Sequence, residues 1–139
     1  MGIYEELLHR LEALPDTVST SATSLADVHA LRMLKRRTDI QGLALPPTGE
    51  FIHIHKDGSL HVTLPPDRAE EAIEAGWGER HPMGRQIGNA DLVMLYTPRT
   101  EQELDVVFGL AVDSYNYVSG QTLTSDDILR TAYGYDDKP

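Results

Sequence analysis

Three of the chain's six histidines fall within nine residues, in the segment Glu50-Phe51-Ile52-His53-Ile54-His55-Lys56-Asp57-Gly58-Ser59-Leu60-His61-Val62-Thr63-Leu64. Imidazoles titrate near neutral pH, donate or accept hydrogen bonds and ligate metals, so a shared surface would suit proton transfer, ligand binding or metal coordination. Spacing decides whether they share one. Alternate residues of a strand lie on one face, and Asp57-Gly58 marks a reversal. A two-residue turn would pair His55 with Leu60 and mix imidazole with aliphatic side chains. A three-residue loop, Lys56-Asp57-Gly58, with Gly58 left-handed in a type I turn plus G1 bulge, pairs His55 with Ser59 instead. Ile52, Ile54, Leu60, Val62 and Leu64 then share one side, and Phe51, His53, His55, Ser59, His61 and Thr63 the other. A half-buried sheet needs that separation, so the second register is expected.

In this register His53 faces His61 at a Cβ separation of about 4.5–5.5 Å, with His55 the next neighbour on the same face. Three imidazole nitrogens meeting on one ion would be geometrically permitted. The cupin order of His-x-His followed closely by Glu is missing, however, and no carboxylate has a comparable spacing on the hairpin. No metal ligand is assigned, and a His-ligated metal protein stands as an alternative.

A second constellation is Gly76-Trp77-Gly78-Glu79-Arg80-His81-Pro82-Met83-Gly84, where flexible joints flank an aromatic, an acid, a base and an imidazole. Such a loop would lay polar groups over a neighbouring sheet face, and Glu79 would orient or deprotonate His81. The plainer reading makes Trp77 a core anchor, Glu79 and Arg80 a surface pair, and Pro82 the shaper of a turn. His9 and His29 lie on structural segments. No Gly-x-Ser-x-Gly elbow and no phosphate loop occur.

The elements that must position these residues follow from periodicity. Ile3, Leu7, Leu11 and Leu14 recur at helical spacing over 3–14, and Pro15 ends the run. Residues 16–23 are small and polar, suiting a loop or edge strand. From Ser24 the pattern serves helix and strand alike: Ser24-Leu25-Ala26-Asp27 has the form of a cap, while Val28 to Leu34 also reads as a strand. Residues 42–49, with Pro46-Pro47, form a loop. Asp67 and Glu70 cap a helix with Ala69, Ala72 and Ile73 inward, stopped at Gly76. Residues 76–90, rich in glycine, read as a long irregular connection. Leu92 to Tyr96 reads as a buried strand. Thr100 and Glu103 open a helix that Gly120 stops, and Ser125 caps a last short helix before an acidic tail at 133–139. The expected fold is α+β: a two-layer domain over 1–139, with a mainly antiparallel sheet of three or four strands packed on helices by its aliphatic face.

Composition narrows the function. Twelve Lys plus Arg against twenty-two Asp plus Glu give a net charge of −10. Such a surface repels phosphate backbones and anionic membranes. The one basic cluster, Arg32, Lys35, Arg36 and Arg37, is expected as a solvated helix end. No nucleic-acid or membrane partner is expected, and no apolar run approaches the roughly 20 residues that cross a bilayer. The N-terminus lacks the features of a secretory signal, and Gly2 lacks the context for myristoylation. Without cysteine, disulfides and thiolate chemistry are excluded, and a cytoplasmic location is expected.

Residues 51–62, then 76–83, then Val93-Met94-Leu95-Tyr96-Thr97-Pro98-Arg99, carry three motifs in order that resemble the luciferase domain family of small bacterial and fungal domains. The resemblance spans about residues 50–120 and leaves 1–49 divergent. It implies that His53, His55, His61, Trp77, Glu79, His81, Pro82 and Arg99 belong to one shared site, without fixing the reaction or a cofactor. A looser likeness of arrangement to the small double-wing domains licenses no function.

The reading that results is a small-molecule-binding domain, enzymatic in one version. His55, His61, His81 and Glu79 would carry the chemistry, while His53, Trp77, Arg80 and Arg99 would hold the ligand. Arg99 would pair with an acidic group on it. The alternative of a different class is a non-catalytic, acidic protein-interaction module with solvated histidines.

Overall fold

The computed structural model describes residues 2–21, 28–40, 43, 45, 47–84 and 91–134. The first helix, α1, covers Ile3–Leu11, with Glu5 and Glu6 in its first turn and His9 and Arg10 in its last, the charge order that suits a helix dipole. Its buried residues Leu7 and Leu11 join Leu14 in the core. Among the described residues six strands follow: β1 (Thr17–Ser21), β2 (His29–Met33), β3 (Glu50–Ile54), β4 (Leu60–Thr63), β5 (Gly78–Arg80) and β6 (Leu92–Leu95). Interleaved with and following them are α2 (Pro66–Glu74), α3 (Glu101–Ser119) and α4 (Ser125–Tyr133).

The fold is α+β, and its sheet has six strands in the order β1-β2-β3-β4-β6-β5, every neighbouring pair antiparallel. The expected three or four strands fell short at three places. Residues 17–21 form the edge strand that their β-branched content allowed. The helix-or-strand segment resolves as β2, because pairing with β1 and β3 on both sides overrides a local pattern that served either. The cap sequence Ser24 to Asp27 lies outside the described residues, and Arg32 to Arg37 run from the end of β2 into the following bends instead of ending a helix. The glycine-rich connection contains β5, whose partner β6 returns between it and β4.

Ile52, Ile54, Leu60, Val62, Val93 and Leu95 are fully buried and meet Leu104, Val107, Phe108 and Ala111 of α3 in one apolar cluster. The Thr100 hydroxyl accepts from the Glu103 amide to start α3, and left-handed Gly120 ends it. Two other caps differ from expectation. Thr124, one residue before Ser125, forms a capping box with Asp127 at α4. At α2 the N-cap is Pro65, with no side-chain cap bond from Asp67 or Glu70. Pro66, at the first helical position, sets the backbone there unaided.

Candidate functional site

The hairpin β3–β4 places His53 opposite His61, Ile52 opposite Val62 and Ile54 opposite Leu60. At its tip the His55 amide donates to the Ser59 carbonyl and the Gly58 amide to the His55 carbonyl, both at 2.9 Å. Gly58 has φ +92°, where a side chain would be strained, so glycine at this position sets the register. Across the sheet, Ala30, His53, His61, Met94 and Glu79 line up on successive strands. Since directly opposed residues share a face, this row and its neighbours two residues along present His55, Thr63, Tyr96 and His81 on the side away from the aliphatic core.

Four imidazoles meet there. The His61 ring lies 4.5 Å from that of His55 and 4.6 Å from that of His81, both edge to face, and 6.3 Å from that of His53. Each outer ring is tethered. His53 Nε2 donates to Glu50 Oε1 at 3.1 Å. His55 Nδ1 lies 3.3 Å from the Ser59 carbonyl and 3.2 Å from the Ser59 hydroxyl. His81 Nδ1 accepts from the Met83 amide at 3.0 Å. Among the described residues, the His61 ring makes no hydrogen bond. Burial, and then the neighbouring His55, His81 and His53, push its pKa down to about 4, so His61 is neutral at physiological pH.

Glu50 is the residue that alternation missed. The ladder between β2 and β3 shifts register, Leu31 pairing with Ile52 but Arg32 with Glu50, so Phe51 is an extra residue in the strand. Phe51, expected beside the histidines, is buried with its ring 6.5 Å from that of Tyr115 on α3. Glu50, three residues before His53, reaches the histidine face and is held by the Thr48 hydroxyl at 2.6 Å. A bulky apolar pair, Phe51-Ile52, directly after an acid is the one hint that the sequence carried.

The remaining expected site residues divide. Glu79 lies on the histidine side but accepts from the Tyr96 hydroxyl at 3.2 Å, and it is the Met83 amide that orients His81. Arg80, on the edge strand, pairs with Asp91 at 3.1 Å. Trp77 packs against the core and, with Arg99, lines a separate cleft of about 370 Å³ together with Tyr96, Pro98 and Val107. Arg99 is engaged there by Glu103 at 3.0 Å. Tyr96 borders both places.

Among the described residues, no three or more His, Cys, Asp or Glu side chains are disposed to hold a metal ion. His55 and His81 pack edge to face on His61, His53 lies tilted to it, and these three rings commit a nitrogen to Ser59, Met83 and Glu50 respectively. The second nitrogen of each of these rings is left able to donate or accept a hydrogen bond or to exchange a proton. No described helix is long and apolar enough to cross a membrane.

Residues 48–112 match the family model described as Luciferase domain. Luciferases of Armillaria gallica, Armillaria mellea and Neonothopanus nambi are each 33% identical over 75 residues, covering 50% of this chain and 28% of the relative. The chain thus spans under a third of the length of these curated relatives. No solved structure matches it.

Proposed function

We propose that this protein, whose residues 48–112 match the Luciferase domain model, binds a small organic molecule at the histidine face and exchanges a proton with it. The observation that carries this reading is His61, a neutral imidazole packed between two others with its nitrogens unclaimed by any described residue. His61 is only partly buried, and its nitrogens are not among the buried polar atoms without a partner, so a ligand able to hydrogen-bond can reach them. His55 acts as base toward an acidic hydroxyl or C–H of the ligand, with His61 and His81 completing the acid–base set. His53, fixed by Glu50, walls the site. The luciferase relatives favour this enzymatic version over a passive module.

Ligand-observed NMR with small phenols and carboxylic acids, combined with the histidine Cε1–H resonances, tests the site. Binders are expected to shift His55, His61 and His81 and to weaken at least about tenfold in His61→Ala, the loss of a hydrogen bond to a charged partner. Binders that shift only Trp77, with His61→Ala equal to wild type, would move the site to the Trp77–Arg99 cleft.

A further inference from the structure

Donor and acceptor roles at the cluster are fixed by what each outer ring touches. A backbone carbonyl only accepts, so the nitrogen of His55 beside the Ser59 carbonyl carries the proton, and Nε2 is left as the bare acceptor. A backbone amide only donates, so the nitrogen of His81 that receives the Met83 amide is bare, and in the neutral ring the proton sits on Nε2. The two rings flanking His61 therefore hold opposite tautomers.

The Ser59 hydroxyl extends this order. It lies 2.7 Å from Asp57 Oδ1, which also accepts from the Ser59 amide at 2.9 Å. With its proton committed to Asp57, the hydroxyl offers only lone pairs to His55 Nδ1, 3.2 Å away. The Asp57 carboxyl is held below the ordinary carboxylate range, first by the Ser59 hydroxyl and then by its amide, so the acceptor stays ionised. Asp57 and Ser59 thus do more than close a turn.

We propose that Ser59, oriented by Asp57, is a positioning residue that holds His55 in the Nδ1–H tautomer, so that the cluster presents a bare nitrogen on one side of His61 and an N–H on the other. Building on the proton-exchange reading above, this gives the site a direction. A ligand would surrender a proton at the His55 side and accept a hydrogen bond at the His81 side.

The tautomer is readable without any ligand, from the ring ¹⁵N shifts of His55 and His81 in the intact chain above pH 7. The expected result is a protonated-type Nδ1 at His55 and a protonated-type Nε2 at His81. Ser59→Ala should lower the His55 tautomer ratio about fivefold, the effect of one neutral hydrogen bond. Ser59→Thr, which keeps the hydroxyl on a strand-compatible side chain, should restore it. Wild-type His55 protonated on Nε2, or a ratio unmoved in Ser59→Ala, would overturn the proposal. Because no binding is measured, its failure is distinct from failure of the ligand site.

Discussion

At the scale of the residue, His61 ties the chemistry to stability. In the unfolded chain an imidazole titrates near 6.5, whereas in the fold His61 titrates at about 4. On acidification the unfolded chain takes up the proton first, so the unfolded state gains. The stability that belongs to neutral His61 is complete above about pH 6.5, declines between about 6.5 and 4, and changes no further below. For a half-buried ring, discounted for solvent screening, the loss across that window is about 2 kcal/mol. His61→Gln, polar but unable to titrate, should flatten that part of the profile when urea unfolding is compared at pH 7, 5.5 and 4.5. An identical slope in wild type and variant would assign the acid sensitivity to other groups. The nearness of His53, His55 and His61 was legible from a period of two and one turn. His81 joined them through β5, whose pairing no local pattern announced, and Glu50 through a bulge.

At the scale of the element, the hairpin tip and the end of α2 offer a controlled comparison. Gly58 and Gly76 both have positive φ, +92° and +87°, yet an added Cβ at Gly58 would lie 3.1 Å from Thr97 Cγ2 while one at Gly76 would meet nothing within 4 Å. Alanine at either position carries the left-handed backbone cost of about 1–2 kcal/mol. Gly58→Ala should cost more than Gly76→Ala by whatever Thr97 cannot yield, and chemical denaturation of both variants measures the difference. Equal losses would mean that the tip shifts freely and that Thr97 does not brace it. Turns with such demands are readable because few residues meet them. Strand β2 was not: Val28, Leu31 and Leu34 fit a helix while the same stretch fits a strand, and only partners distant in sequence decided between them. Strand β5 is three residues long, too short for a period to show, and Gly78 is there because a Cβ would run into the Met94 carbonyl of its partner strand.

At the scale of the whole molecule, the packing of helices on a mainly antiparallel sheet was legible because every aliphatic position of the hairpin fell on one face. What joins those helices to one another was not. Arg10, almost buried at the end of α1, donates to Asp105 on α3 at 2.9 Å and to the Tyr133 hydroxyl on α4 at 3.2 Å, and its guanidinium stacks 5.6 Å from the Phe108 ring centre. Tyr133 in turn donates to Glu6 at 3.0 Å. Two contributions compete in this junction. Asp105 is largely exposed, so its ion pair is screened and worth under about 1 kcal/mol. The arginine stem and fork cover Phe108 and Tyr133, and stacking of that kind contributes about 0.5–2 kcal/mol beyond the packing itself. Asp105→Asn should therefore change the urea midpoint little, while Arg10→Ala should lower stability by about 2–3 kcal/mol, and Arg10→Met, which restores the stem without the charge, should recover part of it. If Asp105→Asn proved as damaging as Arg10→Ala, the ion pair and not the covered aromatic surface would be what fastens α1 and α4 to α3.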